Sequence, residues 1–128
     1  MLLAPSGGGY EKYTPLKAIS AARTYAAKHP TALILGDNAA SSALLWQYPQ
    51  LAGRVAYDAR LETYPQSSLG RWSAYQMAAG AGWRATTRGY QLLLGSTKYN
   101  PALVHRLASA RGTSILAQDT RGIAVVNH

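Results

Sequence analysis

Groups able to do chemistry are sparse in this chain. It has five acids, three histidines and no cysteine in 128 residues. Asp37, Asp58 and Asp119 each follow an apolar run, and Arg60 and Glu62 lie just beyond Asp58. Carboxylates at the carboxyl ends of neighbouring strands make a polar site for a cation, a sugar or a phosphate-bearing group. The same residues also have plainer uses, Asp37 as a helix cap and Asp58 as an ion-pair partner of Arg54 or Arg60. His29, His105 and His128 fit no metal-ligand spacing. Without cysteine there is no disulfide framework and no thiolate site. No serine sits in a Gly-x-Ser-x-Gly elbow. Gly7-Gly8-Gly9 precedes no Lys-Ser/Thr pair, and the turn after Gly36 lacks the glycine spacing of a dinucleotide fingerprint. No catalytic residue, metal or cofactor is therefore assigned. The residues singled out for ligand binding are Asp37, Asn38, Asp58, Arg60, Glu62 and Ser96.

The elements that must position these groups follow from punctuation and periodicity. Residues 1–13, with three consecutive glycines, read as a flexible leader, and residues 14–128 as one α/β domain. Thr14-Pro15 opens a helix that His29-Pro30 stops. Residues 31–37 read as a buried strand closed by Gly36-Asp37, and Asp37 or Asn38 caps a helix over 39–48. Val55-Ala56-Tyr57-Asp58 is a second strand, followed by a helix over 65–79. Residues 90–96 form a third strand, and Asn100-Pro101 starts a helix that leaves through Arg111-Gly112. Residues 113–118 and 123–127 form a hairpin around Asp119-Thr120-Arg121-Gly122. Strands alternating with helices predict a three-layer, Rossmann-like or flavodoxin-like fold with a mostly parallel sheet. The expected order is 2-1-3-4-5, with strand 5 antiparallel at the edge. Its crevice would be lined by Gly36, Asp37, Asn38, Gly95 and Ser96.

Lysine and arginine total 13, giving a formal net charge of +8. An excess of this size suits an anionic neighbour. The basic residues form no run and are not interleaved with aromatics on one strand, so nucleic acid is not indicated. No segment approaches the ~20 apolar residues of a membrane span. Nine tyrosines and three tryptophans stand against no phenylalanine. Trp46, Tyr48, Trp72 and Tyr75 are read as core, whereas Tyr10, Tyr13, Tyr64 and Tyr99 fall in loops as surface candidates.

One stretch carries a resemblance. Asp37, then Leu44-Leu45-Trp46, Pro49, Leu51-Ala52-Gly53-Arg54-Val55 and Asp58-x-Arg60-x-Glu62 resembles the soluble carboxy-terminal domain of actinobacterial polytopic membrane proteins akin to GT-C glycosyltransferases. The match is specific over about residues 37–62 and looser over 83–94 and 102–126. The resemblance implies an extracytoplasmic domain on the cell membrane, attached to a transmembrane portion that holds the catalytic acids. The domain itself would be a non-catalytic accessory, contacting glycan, a lipid-linked sugar carrier, anionic lipid headgroups or a partner. The alternative is a free-standing domain that binds a small sugar or phosphate ligand in the strand-end crevice.

Overall fold

The computed structural model describes residues 14–56, 87–98 and 100–128. The elements in chain order are α1 (Leu16–Lys28), β1 (Ile34–Gly36), α2 (Asn38–Gln47), a 3-10 helix (Pro49–Arg54), β2 (Val55–Ala56), β3 (Leu92–Ser96), α3 (Pro101–Ser109), β4 (Thr113–Asp119) and β5 (Gly122–Asn127). The helix expected over 65–79 lies outside the described residues.

Each helix starts where its sequence provides a start. Asp37 caps α2 by accepting from Ala40 N, and Asn100 caps α3 by accepting from Leu103 N with Pro101 at its first position. The start of α1 departs from expectation. Pro15 occupies the cap position, no side chain caps the helix, and Leu16 N donates to the Thr14 carbonyl. The buried stripe of α1 is Ala18, Ile19, Ala22 and Ala26, spaced at helical period. Alanine dominates that stripe, so the helix can lie close to the sheet strands β4 and β5 beneath it.

The strands sort their apolar residues between two layers by the period of two. Ile34, Leu92, Leu94 and Ala124 face α1 and α2, together with Val55. Leu35, Leu93, Ile123 and Val125 face α3, where Leu103, Val104 and Leu107 cover them. All five residues of β3 are buried, as befits a strand covered on both faces.

The sheet overturns the flavodoxin-like expectation. Its order is β2-β1-β3-β5-β4. Here β1 pairs in parallel with β2 and β3, but β5 is antiparallel to both β3 and β4, and those antiparallel ladders are the longer ones. The fold is a mixed α/β sheet, not a mostly parallel one, and strand 5 is interior rather than at the edge. Burial explains the exchange. Gly122, Ile123, Ala124 and Val125 are all buried and need cover on both sides, whereas Ser114, Ile115, Leu116 and Gln118 of β4 are exposed. The hairpin pairs β4 with β5 under either order. Only the continuous apolar run of β5 decides which of them enters the middle.

Two glycines are dictated by geometry. Gly112 has φ +82°, the left-handed exit expected after α3. Gly122 lies where β5, β3 and the start of α1 converge. A Cβ there would meet the Gly95 carbonyl oxygen at 2.5 Å and Pro15 Cβ at 2.6 Å. Substitution by alanine should therefore cost about 1 kcal/mol at Gly112 and about 2–3 kcal/mol at Gly122, where backbone must move. Urea denaturation midpoints of the two variants check this ranking, and a neutral Gly122→Ala contradicts the packing described.

Candidate functional site

The parallel strands and β4 all point their carboxyl ends to one rim of the sheet and their amino ends to the other. The two rims differ in chemistry.

At the carboxyl rim, Asp37 follows β1 and is 1% exposed. Its Oδ1 accepts from Ala40 N at 2.9 Å. Its Oδ2 accepts from Ser96 N at 2.6 Å and from Ser96 Oγ at 2.9 Å. Ser96, itself fully buried, ends β3. Two residues assigned to the crevice from sequence are thus brought together from 59 positions apart. They meet each other, with the carboxylate turned inward to backbone donors. Gly36 permits this closeness, since a Cβ there would run into Ser41 Oγ and press on Leu94 Cβ at 3.2 Å. Ser41 Oγ is buried beside it and has no hydrogen-bond partner among the described residues. Asn38 is the first residue of α2. Asp58, Arg60 and Glu62 lie outside the described residues. Asp119, the other acid described, is also on this rim. It holds the hairpin by accepting from Arg121 N and Gly122 N.

The amino rim carries cations and aromatics. Arg54, just before β2, spans the gap between α1 and β1. Its Nη2 donates to the Ala26 carbonyl at 3.2 Å and the His29 carbonyl at 2.6 Å, and its Nε to the Ala32 carbonyl at 2.9 Å. A guanidinium is suited to this task, with several donors in a fixed plane facing carbonyls at and just beyond a helix end. Next to it Tyr25 and His29 stack with ring centroids 4.1 Å apart. The Arg23 guanidinium lies 5.4 Å from the centroid of the Tyr48 ring, joining α1 to the end of α2. Trp46, on the last turn of α2, is 84% exposed. Lys28, Arg88 and Arg111 are exposed at the amino-terminal approaches to β1, β3 and β4. Among the described residues no acid shares this rim.

Sequence reasoning misplaced two of these residues. Trp46 was expected in the core. Ala40, Ala43 and Leu44 are the buried face of α2, and at about 100° per residue Trp46 falls roughly 200° from Leu44, on the outer side. That signal was present in the spacing. For Arg54 the sequence suggests only an ion pair with Asp58. Its carbonyl partners lie 22 to 28 residues away, beyond the reach of any local pattern. His128, at the end of the chain, is held: its N donates to the Gly112 carbonyl at 2.7 Å and its ring meets Ser114 Oγ at 2.7 Å.

Among the described residues no cluster of acids, histidines or cysteines could hold a metal ion. None of the helices described is long and apolar enough to cross a membrane. No protein-family model, no curated protein and no solved structure matches the chain.

Removing the Asp37 carboxylate leaves two buried backbone N–H groups without their acceptor. Asp37→Ala should cost about 3 kcal/mol, and Ser96→Ala about 1 kcal/mol. Denaturant titration measures both. Equal losses for the two would mean that the hydroxyl, not the backbone N–H groups, carries the bridge.

Proposed function

We propose that this domain is a non-catalytic docking module whose amino rim meets an anionic surface. In the setting implied by the resemblance, it is the extracytoplasmic accessory domain of a membrane-embedded, glycosyltransferase-like parent, and the surface is that of lipid headgroups or lipid-linked phosphate carriers. The observation that carries this reading is Trp46, 84% exposed on a rim that also holds Arg23, Lys28 and Arg88. Leaving an indole in water forgoes about 2–3 kcal/mol of burial. An amphipathic ring of this kind is at home at the headgroup level. Each nearby Lys or Arg adds about 1 kcal/mol toward an anionic leaflet. Buried apolar area and attraction to anionic lipid add together in interfacial binding, and this rim offers both.

Sedimentation with vesicles tests the reading. The domain should partition onto phosphatidylserine-containing vesicles and not onto pure phosphatidylcholine, with binding weakened by salt. Trp46→Ala should lower partitioning about tenfold, equivalent to about 1.4 kcal/mol. Absence of binding at low salt, or a Trp46→Ala variant that binds unchanged, rejects it.

Ser41 Oγ, buried at the carboxyl rim with no hydrogen-bond partner among the described residues, favours a second reading. In it a small sugar or phosphate ligand occupies the strand-end crevice. Such a ligand at a hundredfold excess over its Kd would add about 2.7 kcal/mol of stability. A thermal-shift panel of sugar phosphates and inorganic phosphate that moves nothing leaves the docking module as the better account.

A further inference from the structure

We infer, on the strength of the docking reading above, that Leu33 is a second membrane anchor, which with Trp46 stands the domain on an anionic leaflet with its amino rim down. Leu33 lies just before β1 on that rim, 41% exposed between buried Ala32 and buried Ile34. Three hydrogen bonds fix its backbone. Its N donates to Gln91 Oε1 at 2.8 Å, and its carbonyl accepts from Gln91 N at 3.0 Å and Leu92 N at 3.1 Å. The same Gln91 side chain donates to the Gly89 carbonyl at 3.4 Å, and Asn127 Nδ2 donates to the Thr87 and Tyr90 carbonyls at 3.1 and 3.0 Å. The turn that carries exposed Arg88 is thus fastened to the segment that carries Leu33. An apolar side chain and a cation are held on one rigid platform, so little ordering remains to be done when a surface is met.

Charge complementarity and the placing of the two anchors select a leaflet as the occupant. Lys28, Arg88 and Arg111 are exposed on this rim, and among the described residues no acid accompanies them. A soluble anion would satisfy the cations but give neither apolar side chain a place. A leaflet takes both kinds of group, the apolar ones at the acyl boundary and the cations among the headgroups. The anchors also flank the sheet. Trp46 belongs to α2, which covers the face of Ile34 and Leu92, whereas alternation puts Leu33 on the side of Leu35, toward α3. With one anchor on each side of the rim, the strands rise from the surface instead of lying along it. Asp119 is then at the far end of a seven-residue strand, roughly 20 Å away. That is more than twice the Debye length of about 8 Å at physiological salt, so its repulsion from the leaflet is screened.

The test uses the full chain and vesicles of mixed phosphatidylserine and phosphatidylcholine at low salt. Leu33→Asn should lower partitioning about fivefold. Leu16→Asn removes a leucine of comparable exposure, 49%, from the carboxyl rim and should leave partitioning unchanged. The chain has no cysteine, so Leu33→Cys, Trp46→Cys and Leu16→Cys each supply a single site for an environment-sensitive fluorophore. On vesicles the labels at positions 33 and 46 should shift to the blue and resist an aqueous quencher, and the label at position 16 should do neither. Partitioning indifferent to Leu33→Asn, or a label at position 33 that stays in water while the one at position 46 is buried, overturns the second anchor and leaves docking through Trp46 standing. A label at position 16 that is buried as well overturns the upright orientation. If the unaltered chain does not bind these vesicles, the docking reading falls and the second anchor with it.

Discussion

A single buried carboxylate ties the parallel half of this sheet together. Asp37 stands where β1 ends and α2 begins, and it reaches across to the last residue of β3. A charge with 1% exposure persists only when donors surround it. The donors it finds are the free N–H of a helix start and the backbone and hydroxyl of Ser96, which belong to different elements. The angle of α2, the register of β1 on β3 and the closeness of Gly36 to Ser41 all depend on that one group. A carboxylate engaged in this way holds the rim in shape. Any recognition at this edge would have to proceed around it.

The opposite rim is built on the complementary device. Arg54 gathers three carbonyls from the end of α1 and the approach to β1. It fastens the second strand's entrance to the first helix's exit, as Asp37 fastens the first strand's exit to the third. One charged residue thus closes each end of the parallel unit. The described acids lie on the carboxyl side, alongside Lys17, Lys98 and Arg121, whereas the amino side holds exposed cations and an indole with no described acid. Cations are thus described on both rims of this +8 chain, and the strand at the flank carries no charge from Thr113 to Gln118.

The mixed sheet illustrates how composition and context share the decision. The hairpin Asp119-Thr120-Arg121-Gly122 was legible as a turn, and Asp119 holds it as such residues do. Strand position was harder to read. The run from Ile123 to Val126 has the unbroken apolar character of an interior strand, and Thr113-Ser114 and Gln118 have the polar character of an edge. Following the alternation of strands and helices hid that contrast. The periodicity of α2 likewise turns Trp46 outward: its spacing looks core-like when set beside Tyr48, but not when set beside Ala40, Ala43 and Leu44, which are the residues that are buried.

By itself the sequence determined the local units: the caps at Asp37 and Asn100, the glycine exit at Gly112, the hairpin turn, and the apolar runs that became β1, β3 and β5. These depend on φ preferences, missing donors and side-chain hydrogen bonds within a few residues, so local order contains them. Tertiary structure alone decided that Asp37 would be consumed by Ser96, that Arg54 would cap a helix far behind it, and that β5 would slip between β3 and β4. Each of these is a satisfaction problem among groups distant in sequence. A buried charge or an uncovered apolar strand takes whichever partner the packed chain brings within reach.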